Sequence, residues 1–491
     1  MKRLLLILLL TPTLCFGAYV DFYCDASTGS NINGGSDAGT VTYTSTNGNW
    51  STVTNIFTPT DGTNPVSAGV TVGQYASIYV DGATLAVYIA KITAVTNAAN
   101  GTITVSSSLK AGVAPTTSAT GRSIKVGGAW KGPNAAVGFP LTFNSLSPLA
   151  GSGDKVAVNL KNNASYSVTA AMSQAGTPVM IQGYSSAVRD GGKAIIDGGT
   201  SGASYTLFTT STSSGPCFAD IIFQNNGASG SATGVATTTA TGVTFVHCVF
   251  SGMRGIGVNA TSTSSFIECE AFGNNLSNTA SLGGFVGNGD FTRCIAHDNT
   301  GSNSAGFFCS ISSLISTYTN CIADTNGGVG FNVSGTGSII RLNNCDAYNN
   351  SSDGIKTSGA SGTFYVENCN LIKNGGWGID MTGSSIPAMF VYNCGFGSGT
   401  QVNTSGTTTG LFSGVEVGSI TYASGVTPWA DPANGDFRIN LATANFAGRG
   451  VFTETAASYA GTIGYPDIGA AQSKTGSGGT FFKEVSYGYG Q

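Results

Sequence analysis

The sequence predicts an all-β chain: a right-handed parallel β-helix solenoid with an N-terminal antiparallel β cap or accessory unit. Three observations predict it. Seven cysteines, Cys248, Cys269, Cys294, Cys321, Cys345, Cys369 and Cys394, recur at intervals of 21, 25, 27, 24, 24 and 25 residues. Each sits in the same frame of apolar, asparagine and glycine positions. The repeating segments are rich in Gly, Ser, Thr and Asn, which are poor helix formers, and carry no helical apolar period, so the α-solenoids that share such repeat lengths are excluded.

The frame fixes the elements of one coil. Three residues before each Cys stands Phe245, Phe266, Phe291, Tyr318, Leu342, Val366 or Val391. Two residues after it stands Phe250, Ala271, Ala296, Ala323, Ala347, Leu371 or Phe396. Five after come Asn274, Asn299, Asn326, Asn350 and Asn374, with Met253 and Gly399 at the ends and Asn226 in an earlier coil whose Cys slot holds Ile221. Side chains alternate faces along a strand, so Cys and the residue two beyond it share the inner face. The apolar residue three before Cys breaks that parity, and a corner must intervene. The residue before Cys is Asn320, Asn344, Asn368 or Asn393 in four coils, and Asn tolerates the left-handed conformation of a sharp bend. A further strand opens with Gly and an apolar residue: Gly255-Ile256, Gly284-Phe285, Gly306-Phe307, Gly330-Phe331, Gly354-Ile355 and Gly378-Ile379. Three strands and three turns make one coil. Coils stack at about 4.8 Å, so like residues pile into cysteine, aromatic and asparagine columns. Parallel crossovers are right-handed in nearly all cases, which sets the hand.

Composition bounds the function classes. The chain has 491 residues, of which 41% are hydrophobic and only 9% charged, with 72 glycines. That is enough apolar content for a core, against a charged fraction of roughly 25% in an ordinary domain. A net charge of −4 leaves no basic patch, so nucleic acid is not expected as a partner. A surface of hydroxyls and amides suits a polysaccharide, a cell-surface glycan, or self-association, including a trimer.

Residues 1–17 read as a signal peptide: Lys2 and Arg3, the apolar run Leu4–Leu10, then small residues at Gly17 and Ala18. Cys15 follows the bulky Leu14, which argues against a lipid anchor. No later apolar run is long enough to span a membrane, and a secreted, extracellular or cell-surface location is expected. Residues 18–130 lack the repeat and read as the cap and small β unit. Strand-like runs such as Ala76–Val80 and Ile89–Val95 are followed by turn pairs at Asp81-Gly82 and Asn100-Gly101. The β-helix is assigned to 131–400, a closing segment to 401–472 and a flexible tail to 473–491.

Export permits disulfides. Stacked parallel side chains, however, hold Cβ atoms further apart than the usual disulfide value of about 3.8 Å, and seven is odd. Buried free thiols acting as small apolar fillers are expected. No metal centre is expected, because stacked thiols lack the tetrahedral convergence of a zinc site.

The repeat resembles the right-handed parallel β-helix superfamily of pectin-lyase-like fold, the secreted bacterial type, shared by pectate lyases, polygalacturonases and many phage tailspikes. The resemblance covers roughly residues 130–400 and concerns architecture. Tyr19-Val20-Asp21 is similar to the opening strand of such proteins. Asn434-Gly435-Asp436-Phe437-Arg438, followed by Asp467-Ile468-Gly469-Ala470, is similar to their closing segment. The resemblance implies a ligand groove along one outer sheet. The strands opening Gly-Ile or Gly-Phe offer an outward row: Gly257, Val286, Phe308, Asn332, Lys356 and Asp380. Lys356 and Asp380 fall on adjacent rungs, with Asp353 and Trp377 nearby at a turn.

A lyase needs a base and a positive group that holds the substrate carboxylate. Lys356, Asp380 and Asp353 are the catalytic candidates. Phe308, Asn332 and Trp377 are the substrate-binding candidates. The polygalacturonase signature is absent, and the acidic cluster of a calcium-dependent pectate lyase is not evident, so no cofactor is expected and Ca2+ is not indicated. His247, at a corner, and His297, after Ala296, read as surface or turn residues, and Arg254, Arg293 and Arg341 as solvated. The expectation is a non-catalytic extracellular β-helix protein, structural, adhesive or polysaccharide-binding. The alternatives are a polysaccharide lyase or glycoside hydrolase of this fold, and a phage-like fibre or tailspike.

Overall fold

The computed structural model describes residues 19–29, 41–80, 88–112, 121–130 and 155–439. Within the last range it leaves out 175–178, 211–215, 238–241, 279–282, 303, 310–313, 358–361, 382–387, 393, 398–401, 404–414, 418–419, 422–428 and 435. The proposed signal peptide, the 467–470 segment, the 473–491 tail, Asp81-Gly82, Asn393 and Gly399 lie outside the described residues.

The chain is a right-handed parallel β-helix with a closed antiparallel barrel set into its N-terminal part. Each coil contributes three short strands, as in Phe331–Val333, Ile339–Asn343 and Asp346–Tyr348. They belong to a glycine sheet, an aromatic sheet and a cysteine sheet. The cysteine sheet has eleven strands, running in chain order from Tyr166–Ser167 to Ile420–Thr421. All its pairings are parallel and in register, for example Ile322↔Asp346 and Ala323↔Ala347. The aromatic sheet begins with Tyr19–Cys24, which pairs in parallel with Lys155–Lys161.

Between those two strands the chain forms the six-stranded barrel. Its order around the ring is Val41–Ser51, Ile56–Pro59, Ile103–Gly112, Tyr88–Val95, Tyr75–Val80 and Arg122–Gly127. Trp50, Phe57, Ile78, Tyr88, Ile92 and Ile124 fill it. Tyr75, Ile89 and Ala111 instead join the solenoid's core. Phe22 meets Tyr75 edge-on at 4.8 Å and stacks on Trp130 at 4.9 Å between ring centroids.

The expected columns form. Phe218, Phe245, Phe266, Phe291 and Tyr318 stack face to face with centroids 4.8–5.0 Å apart. Phe285, Phe307 and Phe331 form a second stack, and the two meet edge to face, the preferred geometry for aromatic pairs. All seven row cysteines are free and buried. Each thiol donates to a carbonyl on the preceding rung, as Cys294 does to Phe266 (3.4 Å) and Cys321 to Phe291 (3.4 Å).

The asparagine column is a continuous ladder. The Asn274, Asn299, Asn326 and Asn350 amides each donate Nδ2–H to the Oδ1 of the next, the last to Asn374, at 2.8–3.1 Å. Each Nδ2 also donates to a carbonyl of the preceding rung, such as Asn326 to Ala296 at 3.0 Å. Each Oδ1 also accepts a backbone N–H, as Asn350 does from Asn326 at 3.1 Å. Met253 breaks the ladder, leaving Asn226 bonded to the Tyr205 and Ala232 carbonyls.

The corner before the Cys slot is left-handed from Asp220 to Asn368, with φ of 52–56° at Asp220, His247, Glu268, Arg293, Asn320, Asn344 and Asn368. A second left-handed corner, four residues after Cys, holds Asn225, Gly252, Gly273, Asp298, Thr325, Asn349 and Lys373.

Register corrects one expectation. Val258 pairs with Phe285 and Asn259 with Val286, so Gly257-Val258, not Gly255-Ile256, opens that strand. Asn259 therefore replaces Gly257 in the outward row. The coil between Cys248 and Cys269 is the shortest of the set, but Gly257 stands as far after Cys248 as Gly330 does after Cys321, so the missing residues fall after the strand opens.

The closing segment forms an antiparallel pair, Trp429–Asp431 with Asp436–Ile439. Trp429 and Phe437 pack edge-on against Tyr348, at 5.3 and 5.8 Å, on the outer face of the cysteine sheet.

The ladder and the glycine column depend on each other. A Cβ built on Gly330 would lie 2.6 Å from the Gly354 carbonyl oxygen and 3.0 Å from Asn350 Nδ2. Asn326→Ala orphans buried polar groups on two rungs and should destabilise the fold by about 2–4 kcal/mol. Gly330→Ala should also lower the denaturant midpoint, although Ala is ordinarily the better strand residue. Urea unfolding of both variants checks this, and an unchanged midpoint in both would refute the coupling.

Candidate functional site

The outward row lies on the glycine sheet. Strand pairing aligns Phe308 with Asn332, Asn332 with Lys356, and Lys356 with Asp380. Four of the six candidates thus occupy consecutive rungs of one column, because one residue after each Gly-apolar pair points outward. Asp353 and Trp377 come from the turn that precedes the strand on adjacent coils.

Lys356 Nζ stands 3.5 Å from Asp353 Oδ2 and 3.3 Å from Asp380 Oδ2. Asp353 also accepts the Trp377 backbone N–H (2.7 Å) and the Ser352 hydroxyl (3.1 Å). This carboxylate therefore ties two coils together as well as facing Lys356. A Cβ on Gly376 would run into its Oδ1, so glycine is needed where the turn wraps it. The lysine side chain is 34% exposed, against 5% and 8% for the two aspartates. The ammonium is thus the accessible end of a cluster whose negative charge is recessed. Phe308 and Trp377 are partly exposed and Asn332 is nearly buried.

Two further polar clusters lie outside the row. His297 is buried, not at the surface as its turn position implies. Its Nε2 meets Glu270 at 2.9 Å, its Nδ1 meets Asp298 at 2.8 Å, and its ring stacks on Phe272. Burial pulls its pKa down, but the hydrogen bonds to Asp298 and Glu270 outweigh that and hold it at about 9. Asp324, paired with His297 on the next rung, is pushed up to about 6 by burial. Glu270 is 27 positions away in sequence, so no local motif announces this clamp.

The second cluster is a charged stack on the left-handed corners: Asp220, His247, Glu268 and Arg293. His247 meets Asp220 at 3.3 Å and Glu268 at 2.7 Å, and Arg293 Nε donates to Glu268 at 2.7 Å. Arg293 is therefore paired rather than simply solvated, and Arg341 lies over the Tyr365 ring at 4.9 Å. Hydrogen bonds to Asp220 and Glu268 hold His247 at about 9. The hydrogen bond from His247 brings Glu268 down to about 2.

Among the described residues, no group of three or more His, Cys, Asp or Glu is set to hold a metal ion. No helix among them is long and apolar enough to cross a membrane.

The corner stack should leave a pH signature. His247, raised above its ordinary 6.5, contributes stability fully present below pH 6.5 and lost as pH rises through about 9. Glu268, lowered from 4.5, contributes stability present above pH 4.5 and lost as pH falls toward 2. The difference in unfolding temperature between the native chain and a His247→Gln, Glu268→Gln variant should therefore be largest between pH 4.5 and 6.5 and shrink on both sides. A pH-independent difference would show that the stack is held by packing alone.

No family model matches the chain, and neither does any curated protein. Solved structures similar to it include pectate lyase Pel9A, with a TM-score of 0.49, 18% identity, and coverage of 68% of this chain and 91% of that one. The A-module of Azotobacter vinelandii mannuronan C-5 epimerase AlgE4 has a TM-score of 0.38, 16% identity, and coverage of 55% and 80%. The catalytic domain of a GH87 alpha-1,3-glucanase, in complex with nigerose, has a TM-score of 0.28, 10% identity, and coverage of 78% and 90%.

Proposed function

We propose that this chain is an exported, glycan-binding β-helix that holds a polysaccharide on its glycine sheet without cleaving it. The observation that carries the reading is the clamp on Lys356, whose ammonium already faces two carboxylates at 3.3 and 3.5 Å. A lyase would need that cation for the substrate's carboxylate, which would have to displace both aspartates. A hydrolase would need open space between two carboxylates for the glycosidic oxygen and its surroundings. Here the ammonium occupies that space. What the row retains is suited to holding: rings at Phe308 and Trp377 to lie against sugar faces, and polar groups between them to meet hydroxyls. Export rests on Lys2, Arg3 and the apolar run Leu4–Leu10.

Purified protein run through gels containing neutral or acidic polysaccharides should be retarded by a subset of them. Neither unsaturated product nor new reducing ends should appear. Phe308→Ala and Trp377→Ala should each weaken binding about three- to tenfold. Unsaturated product that disappears in Lys356→Ala would overturn the reading in favour of a lyase.

A further inference from the structure

We infer that the glycine-sheet row selects neutral, hydroxyl-rich polysaccharides and rejects polyuronates, an inference that rests on the glycan-binding reading above. The argument is one of charge and position. From Asn259 through Val286, Phe308, Asn332 and Lys356 to Asp380, the row holds one cation and one anion. Asp353 reaches in from the preceding turn and adds a second anion on the same ammonium. The immediate surroundings of Lys356 therefore carry a net negative charge.

The exposures make that charge hard to screen. Both carboxylates are recessed, while the ammonium between them is the more exposed group. Water and counterions reach them poorly, and interactions between such charges are screened less than those at an open surface. A uronate carboxylate arriving at Lys356 would gain one cation already shared by two anions and face both of them at close range. Asp353 cannot swing aside, because it also caps the Trp377 backbone N–H and accepts the Ser352 hydroxyl.

A neutral sugar meets no such opposition. Its hydroxyls can donate to the aspartate oxygens and accept from the ammonium without separating them. Phe308 and Asp380 stand three rungs apart, about 14 Å at the strand spacing, which is room for a few linked sugar units along the column. Phe308 at one end and Trp377 beside Asp353 offer ring faces to the apolar sides of the sugars.

The test uses matched polymers: a panel of neutral glucans, mannans and xylans, each compared with a derivative in which part of its hydroxyls has been converted to carboxylates. Affinity is measured with the full chain at low and moderate salt. At least one neutral polymer should bind, and its carboxylated form should bind about tenfold more weakly or worse at low salt. That gap should narrow as salt rises. Asp380→Asn, checked for an unchanged circular dichroism spectrum and unfolding temperature, should narrow it as well by improving binding of the carboxylated form. Equal or tighter binding of carboxylated polymers by the native chain would overturn the selectivity while leaving glycan binding intact. Binding of no polymer in either form would overturn the glycan-binding reading itself.

Discussion

The asparagine ladder is the constraint on which the rest of the solenoid depends. Each amide from Asn274 to Asn350 spends both N–H donors, and from Asn299 on both oxygen lone pairs, on neighbours in the column or on the backbone of adjacent rungs. A buried amide left short of partners would be strongly destabilising, so every rung is forced into the same vertical register. The glycine column follows directly. Gly284, Gly306, Gly330 and Gly354 pass so close to the ladder's Nδ2 atoms that a Cβ would come within 2.8–3.0 Å of one. Each glycine opens the strand that carries the outward row, so the ladder reaches through it to set where Phe308, Asn332, Lys356 and Asp380 stand.

The cysteine column plays a related part on the adjacent corner. The residue before each Cys from Cys248 to Cys369 turns left-handed, and the thiol meets the carbonyl two residues before the bend on the preceding rung. A thiol is small enough to sit under that bend and is still a weak donor. It meets the carbonyl at 3.4–3.5 Å along the whole row. Alanine would fill the space but leave the carbonyl without this contact. The thiols meet one another along the column as well as the backbone, and no disulfide joins the row.

The sequence was most legible where one residue type recurs on most coils. Cys, Asn and Gly recur because thiol, amide and absent side chain each suit a geometric demand of the stack. The second left-handed corner was not legible, because Gly, Asn, Asp, Thr and Lys all occupy it and no single type marks it. Gly255 misled the register because Gly255-Ile256 imitates the strand-opening pair two residues early, and Met253 replaces the ladder amide, removing the landmark that dates the following strand. The closed barrel could be read as antiparallel β but not as a ring, since closure requires Arg122–Gly127 to return to Val41–Ser51 across a long stretch of chain. Within the site, the alignment of Lys356 with Asp380 was a matter of counting. The clamp was not, because Asp353's bond to the Trp377 N–H depends on how the turn folds over it.

A parallel stack places equivalent side chains one strand spacing apart, about 4.8 Å, and that spacing limits what chemistry a column can host. Two like charges on neighbouring rungs repel at that distance, so a column tends to alternate charges or insert neutral residues. The corner stack Asp220, His247, Glu268 and Arg293 alternates acid and base, and the row through Asn332, Lys356 and Asp380 places an amide and an ion pair in sequence. Such self-neutralised columns are stable because each charge already has its partner, and for the same reason they offer little to a charged ligand. A catalytic row on this scaffold needs charges left unpaired, which must be supported by groups outside the column, from turns or bound ions. At Lys356 the turn supplies Asp353, a further partner for the cation. The turn thus commits the cation to a second carboxylate and leaves its surroundings net negative, and the surface is left with shape, rings and hydroxyl-matching groups as its means of recognition.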